Sequence, residues 1–354
     1  MQLINRIQAF AKLGKFMSQF SDNNYLKKEN IPYNDLYFNK MVELIKQSKS
    51  HNGWFNESNI QFAFKSWGEC LTEKNLQKWT AQYNIDNSSN KKIAIILAGN
   101  IPLVGFHDFL SVLISGNNVI AKLSSNDKLL LPFLANYLIE LEPAFMDKIN
   151  FTSEQLVNFD AVIATGSNNT ARYFDYYFGK YPNIIRKNRN SVAILSGNET
   201  EHELIALADD IFRYYGLGCR NVSKIYIPEG YNFETFFKAI FYWKEIINDH
   251  KYINNYDYNK AVYLMSNINL LDNEFLLLKE DTNFSSPISV LFYEYYENLS
   301  DLKKTLEHEK ENIQCIVSNM EINQKVNFGD SQSPNLWDYA DDVDTLDFLL
   351  NLAN

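Results

Sequence analysis

The chain has 354 residues, of which 33 are Lys or Arg and 43 are Asp or Glu, so its formal net charge is −10. This length is typical of about two domains. A composition of 46% hydrophobic and 21% charged residues indicates a globular protein rather than a disordered or fibrous one. The acidic balance argues against nucleic acid as a partner, because general affinity for nucleic acid comes from Lys and Arg.

Cysteine and histidine usage predicts a reducing compartment and no metal site. The three cysteines, Cys70, Cys219 and Cys315, are too few and too scattered for a disulfide framework, and no two form the C-x-x-C pair of a zinc site. The histidines show no metal-binding spacing. A cytoplasmic location is therefore expected.

The first ninety residues are predicted to be mainly helical, up to a polar break at residues 87–90. Apolar residues recur every three or four positions from Leu3 to Phe20, which is typical of one helix face. This pattern favours a helix that packs against the protein's own core. Because the opposite face carries Arg6, Lys12 and Lys15, peripheral contact with a membrane surface is the alternative. No window reaches the roughly 20 apolar residues that span a bilayer.

Four short apolar strands then alternate with helical segments, at residues 93–97, 119–123, 160–164 and 191–195. The fourth strand is followed by a helix that begins with a capping box, Thr-x-x-Glu. This alternation predicts an α/β fold with a doubly wound, mainly parallel sheet. Ligands bind at the carboxyl ends of the strands in such folds. The candidate contacts there are Gly99, Asn100, Lys122, Ser124, Ser125, Gly166 and Ser167.

Gly166 and Ser167 lie at a predicted strand-to-helix turn. The dinucleotide fingerprint G-x-G-x-x-G is absent from the chain. The backbone N–H groups and the helix dipole at a strand-to-helix turn nevertheless suit a phosphate. A plain tight turn is the alternative interpretation.

Cys219 is the candidate nucleophile. Glycines on its N-terminal side let the backbone bend sharply, and Arg220 and Lys224 would favour the thiolate that attacks. A buried, inert cysteine is the alternative, and the inert interpretation is favoured for Cys70 and Cys315.

Asn100 is the candidate oxyanion donor. It follows the first strand in a Gly-Asn-x-Pro turn, from which its carboxamide could donate to a developing negative charge. A turn-forming Asn is the alternative. His107, in the helix that follows, is a further candidate for the same site.

Four segments carry, in order, a resemblance to a known family. Residues 96–103 (ILAGNIPL) contain an Asn-x-Pro motif, and residues 116–125 (GNNVIAKLSS) form a strand that ends in Lys and Ser. Residues 165–167 (TGS) form a turn, and residues 216–219 (GLGC) present a cysteine. Together they resemble the aldehyde dehydrogenase superfamily and, within it, the LuxC-type acyl-CoA reductases. The match runs from about residue 93 to residue 227 and more loosely to the C-terminus.

The resemblance implies a role for each segment. It assigns the oxyanion hole to Asn100 and the catalytic thiol to Cys219. It assigns binding of the adenosine ribose to residues 116–125, and it assigns the turn beneath the cofactor to residues 165–167. The implied cofactor-binding residues are Lys122, Ser124, Ser125, Gly166 and Ser167.

The implied fold is aldehyde-dehydrogenase-like, with a doubly wound parallel-sheet cofactor domain and a smaller α/β catalytic domain. We expect residues 1–214 to form a helical N-terminal region and the nucleotide-binding domain. Residues 215–326 would form the catalytic domain with the nucleophilic cysteine, and residues 327–354 would return to the first domain. Because similar enzymes assemble through their cofactor domains and C-terminal segments, a homo-oligomer is expected.

The implied activity is NADPH-dependent reduction of an acyl thioester, either acyl-CoA or an acyl-carrier thioester, to the aldehyde. Hydrolytic aldehyde dehydrogenases carry a general base in a Glu-Leu-Gly-Gly motif, whereas residues 186–190 read RKNRN here. The Glu-x-Phe-Gly-Pro motif that holds the nicotinamide ribose is replaced by NFSSP at residues 283–287. Ser125 stands where NAD-preferring relatives often carry Glu, which favours NADPH, with NADH as the alternative cofactor.

Two other functions are considered. The altered ribose-binding segment would suit a catalytically inactive binding or scaffold subunit with the same fold. Oxidation of a free aldehyde to the acid is the second alternative, although the missing general base argues against it.

Overall fold

The computed structural model describes residues 1–85 and 90–352, so residues 87–89 of the predicted polar break lie outside the described part. The chain divides into two compact units. The first unit comprises Met1–Lys187 together with Asn335–Asn354, and the second unit comprises Asn188–Pro334.

The first unit begins with the predicted helical region. Asn56 and Thr72 cap two of its helices by accepting hydrogen bonds from backbone N–H groups three residues later. All described helices of the chain are too short or too polar to span a bilayer. The helices of this region are α1 (Leu3–Met17), α2 (Asn34–His51), α3 (Glu57–Cys70) and α4 (Glu73–Thr80), and a short 3₁₀ helix at Ser18–Phe20 follows α1.

Helix α1 packs its apolar face into the core of its own unit, against α3 and α6 (Leu130–Leu141). Phe10, Leu13 and Phe16 are fully buried. Arg6, which was expected on the solvent face, is also buried, and desolvation lowers its pKa to about 10. The expected packing of this apolar face against the protein's own core is therefore confirmed.

The first unit contains a five-stranded sheet in which all the paired strands are parallel, in the order β3-β2-β1-β4-β5. This confirms the predicted doubly wound parallel sheet. Strands β3 and β5 were not predicted, because each has only four residues. The strands are β1 (Lys92–Ile96), β2 (Asn118–Lys122), β3 (Ile149–Thr152), β4 (Ala161–Thr165) and β5 (Asn183–Arg186). The helices between them are α5 (Phe106–Ile114), α6 and α7 (Asn168–Phe178), with a 3₁₀ helix at Pro143–Lys148.

The second unit contains a seven-stranded sheet, in the order β12-β11-β6-β7-β10-β9-β8. Among its described ladders, β8 and β9 pair antiparallel and the others are parallel. Its strands are β6 (Asn190–Ile194), β7 (Val222–Pro228), β8 (Leu271–Asp272), β9 (Leu277–Glu280), β10 (Val290–Tyr296), β11 (Ile313–Val317) and β12 (Lys325–Val326). Its helices are α8 (Glu201–Phe212), α9 (Phe233–Ile240), α10 (His250–Met265) and α11 (Leu299–His308), with 3₁₀ helices at Arg213–Gly216, Phe241–Asn248 and Lys310–Asn312.

The division between the units falls after Lys187, whereas the sequence prediction placed it after residue 214. Strand β6 pairs with β7 and β11, so the fourth predicted strand belongs to the second sheet and not to the first. Helix α8 follows it, and the predicted capping box of Thr200 and Glu203 is present at its start. The predicted alternation of strand and helix was correct, but the pairing partner of the fourth strand was wrong.

The C-terminal return begins at Asn335, later than the predicted residue 327. Before it, the backbone N–H groups of Gly329 and Ser331 donate to the Asp210 carboxylate at 2.7 and 3.0 Å, within the second unit. The returning segment contains a 3₁₀ helix (Ala340–Asp342) and ends with α12 (Thr345–Leu350).

A buried ion pair fastens this C-terminal helix to the parallel sheet. Arg186 at the end of β5 pairs with Asp108 in α5, and its guanidinium also donates to Thr345 Oγ1 at 2.9 Å. All three side chains are buried. Arg186 therefore joins β5, α5 and α12 within the first unit.

Replacing Arg186 with Met is expected to destabilise the protein strongly. The variant leaves the Asp108 carboxylate buried without its cation, and breaking a buried ion pair from one side costs about 3–5 kcal/mol. The free energy of unfolding in urea measures the loss. The double variant Asp108→Leu, Arg186→Met removes both charges and should recover much of it. A single variant as stable as the wild type would show that the pair contributes nothing.

Candidate active site

The predicted cofactor residues of the first unit lie at the carboxyl ends of three adjacent strands. Strand β1 pairs with β2 on one side and with β4 on the other, and Ile96 is in register with both Lys122 and Ala164. The segments that follow these strands therefore meet at one edge of the sheet. The strand order reverses between β1 and β4, and such a reversal is where doubly wound folds bind ligands.

The segments after β1 and β2 are in close contact. A Cβ atom on Gly99 would lie 2.5 Å from Ser124 Oγ, so only glycine fits there. Asn52, buried at the end of α2, donates from Nδ2 to the Gly99 carbonyl at 3.4 Å and to the Asn126 carbonyl at 3.2 Å. Asn52 thus ties the Asn100 segment, residues 97–105, to the segment that follows β2.

Asp127 makes a second link between the same two segments. Its carboxylate accepts a hydrogen bond from Leu103 N–H at 3.4 Å and others from the backbone N–H groups of Leu129 and Leu130 at the start of α6. Leu103 has a left-handed backbone, with φ of 58°. Burial raises the pKa of Asp127 to about 6. The Asn100 segment, residues 97–105, is therefore held in place from outside by Asn52 and Asp127.

The contribution of Asp127 to the free energy of unfolding is expected to fall as the pH rises from about 4 to about 6. Because its pKa is raised from 3.8 to about 6, the folded protein in this window retains a proton that the unfolded chain has released. The shift corresponds to about 3 kcal/mol that is present at the acidic end and lost at pH values above the folded pKa. Burial also raises the pKa of Asp210 to about 6, so Asp127→Asn should remove one of two contributions of this sign, seen as a difference between the wild-type and variant profiles. Urea unfolding across this range measures the effect.

The control for that experiment is Asp147→Asn, at an exposed carboxylate. It should leave the pH profile of the free energy of unfolding unchanged. Identical profiles for wild type and Asp127→Asn would mean that the carboxylate of Asp127 titrates equally in both states.

Lys122 and the Gly166 turn complete this edge. Within the described residues, Lys122 Nζ forms no hydrogen bond or ion pair. Its ammonium group can therefore bind a ligand. A Cβ on Gly166 would lie 2.9 Å from the Phe174 ring. Ser167 caps α7 by accepting from Thr170 N–H at 3.3 Å. The Gly166 segment is therefore a tight turn with an N-cap. Together with Lys122, the small residues at the carboxyl ends of these strands are of a kind that could bind a nucleotide.

In the second unit, Cys219 lies in the turn that leads into β7, and it is exposed. The alternative of a buried residue is therefore wrong for Cys219. Cys70 is half-buried and Cys315 is buried, and burial raises the pKa of each thiol to about 11. Among the three cysteines, only Cys219 combines exposure with a glycine-rich turn.

The turn before Cys219 has an unusual backbone. Tyr214, Tyr215 and Gly216 all have left-handed φ values, of 54°, 59° and 75°. Such a conformation costs about 1–3 kcal/mol for a non-glycine residue and persists only where its surroundings enforce it. Tyr215 is anchored by its hydroxyl, which donates to Asp249 at 3.1 Å.

Two further residues hold the turn, and sequence analysis missed both. Ser191, fully buried in β6, donates from Oγ to the Cys219 carbonyl at 3.0 Å and lies 2.9 Å from Cys315 Sγ. Asn221 is also buried, and its side chain accepts from Gly218 N–H at 2.8 Å. An Asn two residues after the cysteine is a local turn signal that could have been noticed. The contact of Ser191 had no such signal.

His107 does not act as a free site histidine. Its Nε2 lies 2.9 Å from the Leu336 carbonyl, and its ring lies among Trp67, Trp79 and Tyr339. The prediction that it belongs to the site is therefore wrong. Its position on α5 places it in contact with the returning C-terminal segment instead.

The basic residues predicted to replace the general base of hydrolytic aldehyde dehydrogenases have structural contacts. Arg186 is in the buried ion pair with Asp108. Arg189 donates to the carbonyls of Lys310 and Ile313 at 3.4 and 3.5 Å, within the second unit. Neither can take a proton from water, because a guanidinium remains protonated.

The segment predicted to replace Glu-x-Phe-Gly-Pro, residues 283–287, is held by β7. Ser223 Oγ donates to the Phe284 carbonyl at 2.7 Å, and the buried Lys224 donates to the Thr282 carbonyl at 2.8 Å and pairs with Glu294. Asn283 donates its side-chain amide to Asp281 at 2.8 Å. Asn283, which is predicted to stand in place of the family's glutamate, is therefore already hydrogen-bonded. Over the described residues, no cluster of three or more His, Cys, Asp or Glu could hold a metal ion.

The solved structures that resemble this chain are aldehyde dehydrogenases and related enzymes. Aldehyde dehydrogenase 21 from Physcomitrella patens, solved with the reaction product succinate, is 12% identical with a TM-score of 0.67, covering 91% of this chain and 74% of that chain. An aldehyde dehydrogenase from Bacillus cereus, solved as its NAD⁺ complex, is 13% identical with a TM-score of 0.60, covering 91% and 73%. An NADP-dependent enzyme from E. coli is 11% identical with a TM-score of 0.62, covering 91% and 74%. At these identities the likeness establishes the fold, and it confirms the predicted aldehyde-dehydrogenase-like class.

The sequence comparisons are more specific. No curated protein matches the chain. The family model of acyl-CoA reductase (LuxC) matches residues 4–240, which include the Asn100 segment, the Gly166 turn and Cys219. The chain belongs to the LuxC acyl-CoA reductase family.

Proposed function

We propose that the protein reduces an acyl thioester, acyl-CoA or an acyl-carrier thioester, to the aldehyde through a thioacyl intermediate on Cys219. The observation that carries this proposal is that Cys219 is exposed and follows a turn with left-handed backbone, in a member of the LuxC family. The fold and the family support oxidoreductase chemistry on acyl or aldehyde substrates.

The reaction begins with attack of the Cys219 thiolate on the thioester carbonyl carbon. A bond forms between Sγ and this carbon, and the carbonyl electron pair moves to oxygen. In this proposal the Cys219 backbone N–H donates to that oxyanion, and the family resemblance assigns the Asn100 carboxamide to the same role. Its collapse breaks the original carbon–sulfur bond and releases the coenzyme thiolate, which takes up a proton.

A bound reduced nicotinamide supplies the hydride for the second half of the reaction. The same two donors stabilise the second oxyanion, and its collapse releases the aldehyde and restores the Cys219 thiolate. Lys122, Ser124 and the Gly166 turn hold the nucleotide in this proposal. The resemblance places no general base at residues 186–190, and Arg186 and Arg189 there have structural contacts. We therefore expect that water is not activated and that the thioacyl group lasts until it is reduced. Oxidation of an aldehyde to the acid would need that missing base.

The cofactor in this proposal is NADPH rather than NADH. Ser125, after β2, is exposed and uncharged, so it does not repel a 2′-phosphate. Ser125→Glu should raise the KM for NADPH by about fivefold or more, because two like charges a few ångströms apart cost about 1 kcal/mol even in bulk water. The KM for NADH should be unaffected. Ser50→Glu, on the exposed face of α2, is the control. An unchanged KM for NADPH would argue against this cofactor preference.

The experiment that tests the activity mixes the protein with octanoyl-CoA and NADPH. We expect consumption of NADPH, measured by absorbance, together with one equivalent of aldehyde. Without NADPH, intact-mass spectrometry should show an acyl adduct on the protein. The absence of both signals would contradict the proposal.

A binding or scaffold subunit is the second candidate, because Asn283 is turned onto Asp281 at the position of the ribose-binding glutamate. Such a subunit would bind ligands but gain no acyl adduct, so the same mass measurement separates the two candidates. Self-association, peripheral membrane contact and a cytoplasmic location stay predictions.

A further inference from the structure

The loop that presents Cys219 begins at the end of α8 and is closed by one buried side chain. Helix α8 ends at Phe212, and the last carbonyls of a helix lack partners within it. Asn221 Nδ2 lies within hydrogen-bond distance of the carbonyls of Asp210 at 3.0 Å, Ile211 at 3.4 Å and Arg213 at 2.8 Å. Asn221 is 2% exposed, so its amide is shielded from water.

The other end of the same side chain reaches the residue before Cys219. Asn221 Oδ1 accepts from Gly218 N–H at 2.8 Å, and the Asn221 backbone N–H donates to the Gly218 carbonyl at 3.0 Å. Both polar groups of Gly218 are thus bound by Asn221. The start and the end of the strained loop, residues 213–221, are joined through this residue.

These contacts determine the orientation of one peptide group. The Gly218 carbonyl and the Cys219 N–H belong to the same planar, trans peptide and point in opposite directions. Asn221 fixes the Gly218 carbonyl with its backbone N–H and so sets the direction of the Cys219 N–H. The contacts of its buried side chain with the Gly218 N–H and with the carbonyls of Asp210 and Arg213 hold that backbone in place. Ser191 Oγ fixes the next carbonyl, that of Cys219, at 3.0 Å. The two peptide groups on either side of the Cys219 Cα are therefore both held.

We propose that Asn221 is a positioning residue for acyl transfer, which orients the Cys219 N–H toward the oxyanion. This inference rests on the proposed function, because it assumes that Cys219 attacks a thioester. It assigns Asn221 to the stabilisation of negative charge on the carbonyl oxygen rather than to the reactivity of the sulfur. It therefore predicts that two reactions of the same thiol respond differently to changes at Asn221.

The test compares acylation of Cys219 by octanoyl-CoA with its alkylation by iodoacetamide. Acylation develops a negative charge on the carbonyl oxygen, whereas alkylation is a displacement at carbon that needs no oxyanion donor. The variants are Asn221→Ala and Asn221→Asp, of which the second keeps the acceptor for Gly218 N–H and loses the donor to the α8 carbonyls. Intact-mass spectrometry gives the rate constant and the final extent of both reactions.

We expect the rate constant of acylation to fall by about 10²-fold, the cost of a misplaced reacting group, while that of alkylation changes little. The final extent of acylation should be unchanged, because every folded molecule is still acylated, only more slowly. A partly misfolded variant would instead show a lower final extent. The matched control is Asn259→Ala, since Asn259 is also a buried Asn of the second unit that donates to a backbone carbonyl, that of Ile288 at 2.9 Å. Its acylation and alkylation rates should equal those of the wild type.

Equal losses in both reactions, or no loss in either, would overturn the positioning role. So would a loss of final extent alone, which would mean that Asn221 only keeps the loop folded. If the wild type is alkylated but gains no acyl adduct, the proposed function fails and this inference fails with it. Normal acylation of the wild type with an unaffected variant overturns the inference alone.

Discussion

Cys219→Ala is expected to abolish both acyl-adduct formation and NADPH-dependent reduction of octanoyl-CoA. Without the thiol no thioacyl intermediate forms, and loss of a covalent nucleophile costs an enzyme on the order of 10⁴-fold or more in kcat. Because Cys219 is exposed, the substitution leaves no buried cavity, and the free energy of unfolding should stay close to that of the wild type. The measurement is intact mass after incubation with the thioester, together with the rate of NADPH consumption.

The matched control is Cys70→Ala. Cys70 lies at the end of α3, is half-buried and has a pKa raised to about 11 by burial, so its thiol is protonated near neutral pH. This variant should keep the full adduct and the full reduction rate. An active Cys219→Ala variant, or one that still carries the adduct, would remove Cys219 from the mechanism.

Asn100→Ala should lower kcat by about 10²–10³-fold, the usual loss when one oxyanion donor is removed. The donor acts on charge that develops in the transition state, so kcat and kcat/KM should fall together. The segment around Asn100 is held by Asn52 and Asp127, and we therefore expect the fold to survive the change. Steady-state kinetics with octanoyl-CoA and NADPH measure the effect.

Asn118→Ala is the control for that variant. Asn118 begins β2, at the opposite edge of the same sheet, and its amide donates to Asn90 at 2.9 Å on the surface. Its replacement should leave kcat unchanged. An Asn100→Ala variant with wild-type kcat would mean that the residue only shapes the turn, as the alternative interpretation of the sequence has it.

Local patterns were enough to predict most of the parallel sheet. Strands β1, β2 and β4 are short apolar runs between helical segments, and the capping box at the start of α8 is formed by two residues three positions apart. These features depend on neighbours along the chain, so the sequence shows them directly. The candidate thiol and the candidate oxyanion donor were found in the same way, from glycine-rich or proline-containing turns.

The pairing of strands could not be predicted in that way. Strands β3 and β5 have four residues each, and their strand structure depends on pairing with β2 and β4. Strand β6 has the same apolar pattern as β1, yet it pairs with β7 and β11 in the second sheet. The boundary between the two units therefore lies earlier than local patterns suggest.

For the candidate site, composition and spacing determined which residues have reactive chemistry, and long-range contacts determined which of them are accessible and how they are held. Ser191 meets the Cys219 carbonyl across 28 residues of sequence, and Asn52 meets Asn126 across 74. Cys219 is exposed and Cys315 is buried, a difference that the residue type alone does not show. The physical reason is that the reactivity of a side chain depends on its solvent exposure and its hydrogen-bond partners, and both are created only when distant segments of the chain pack together.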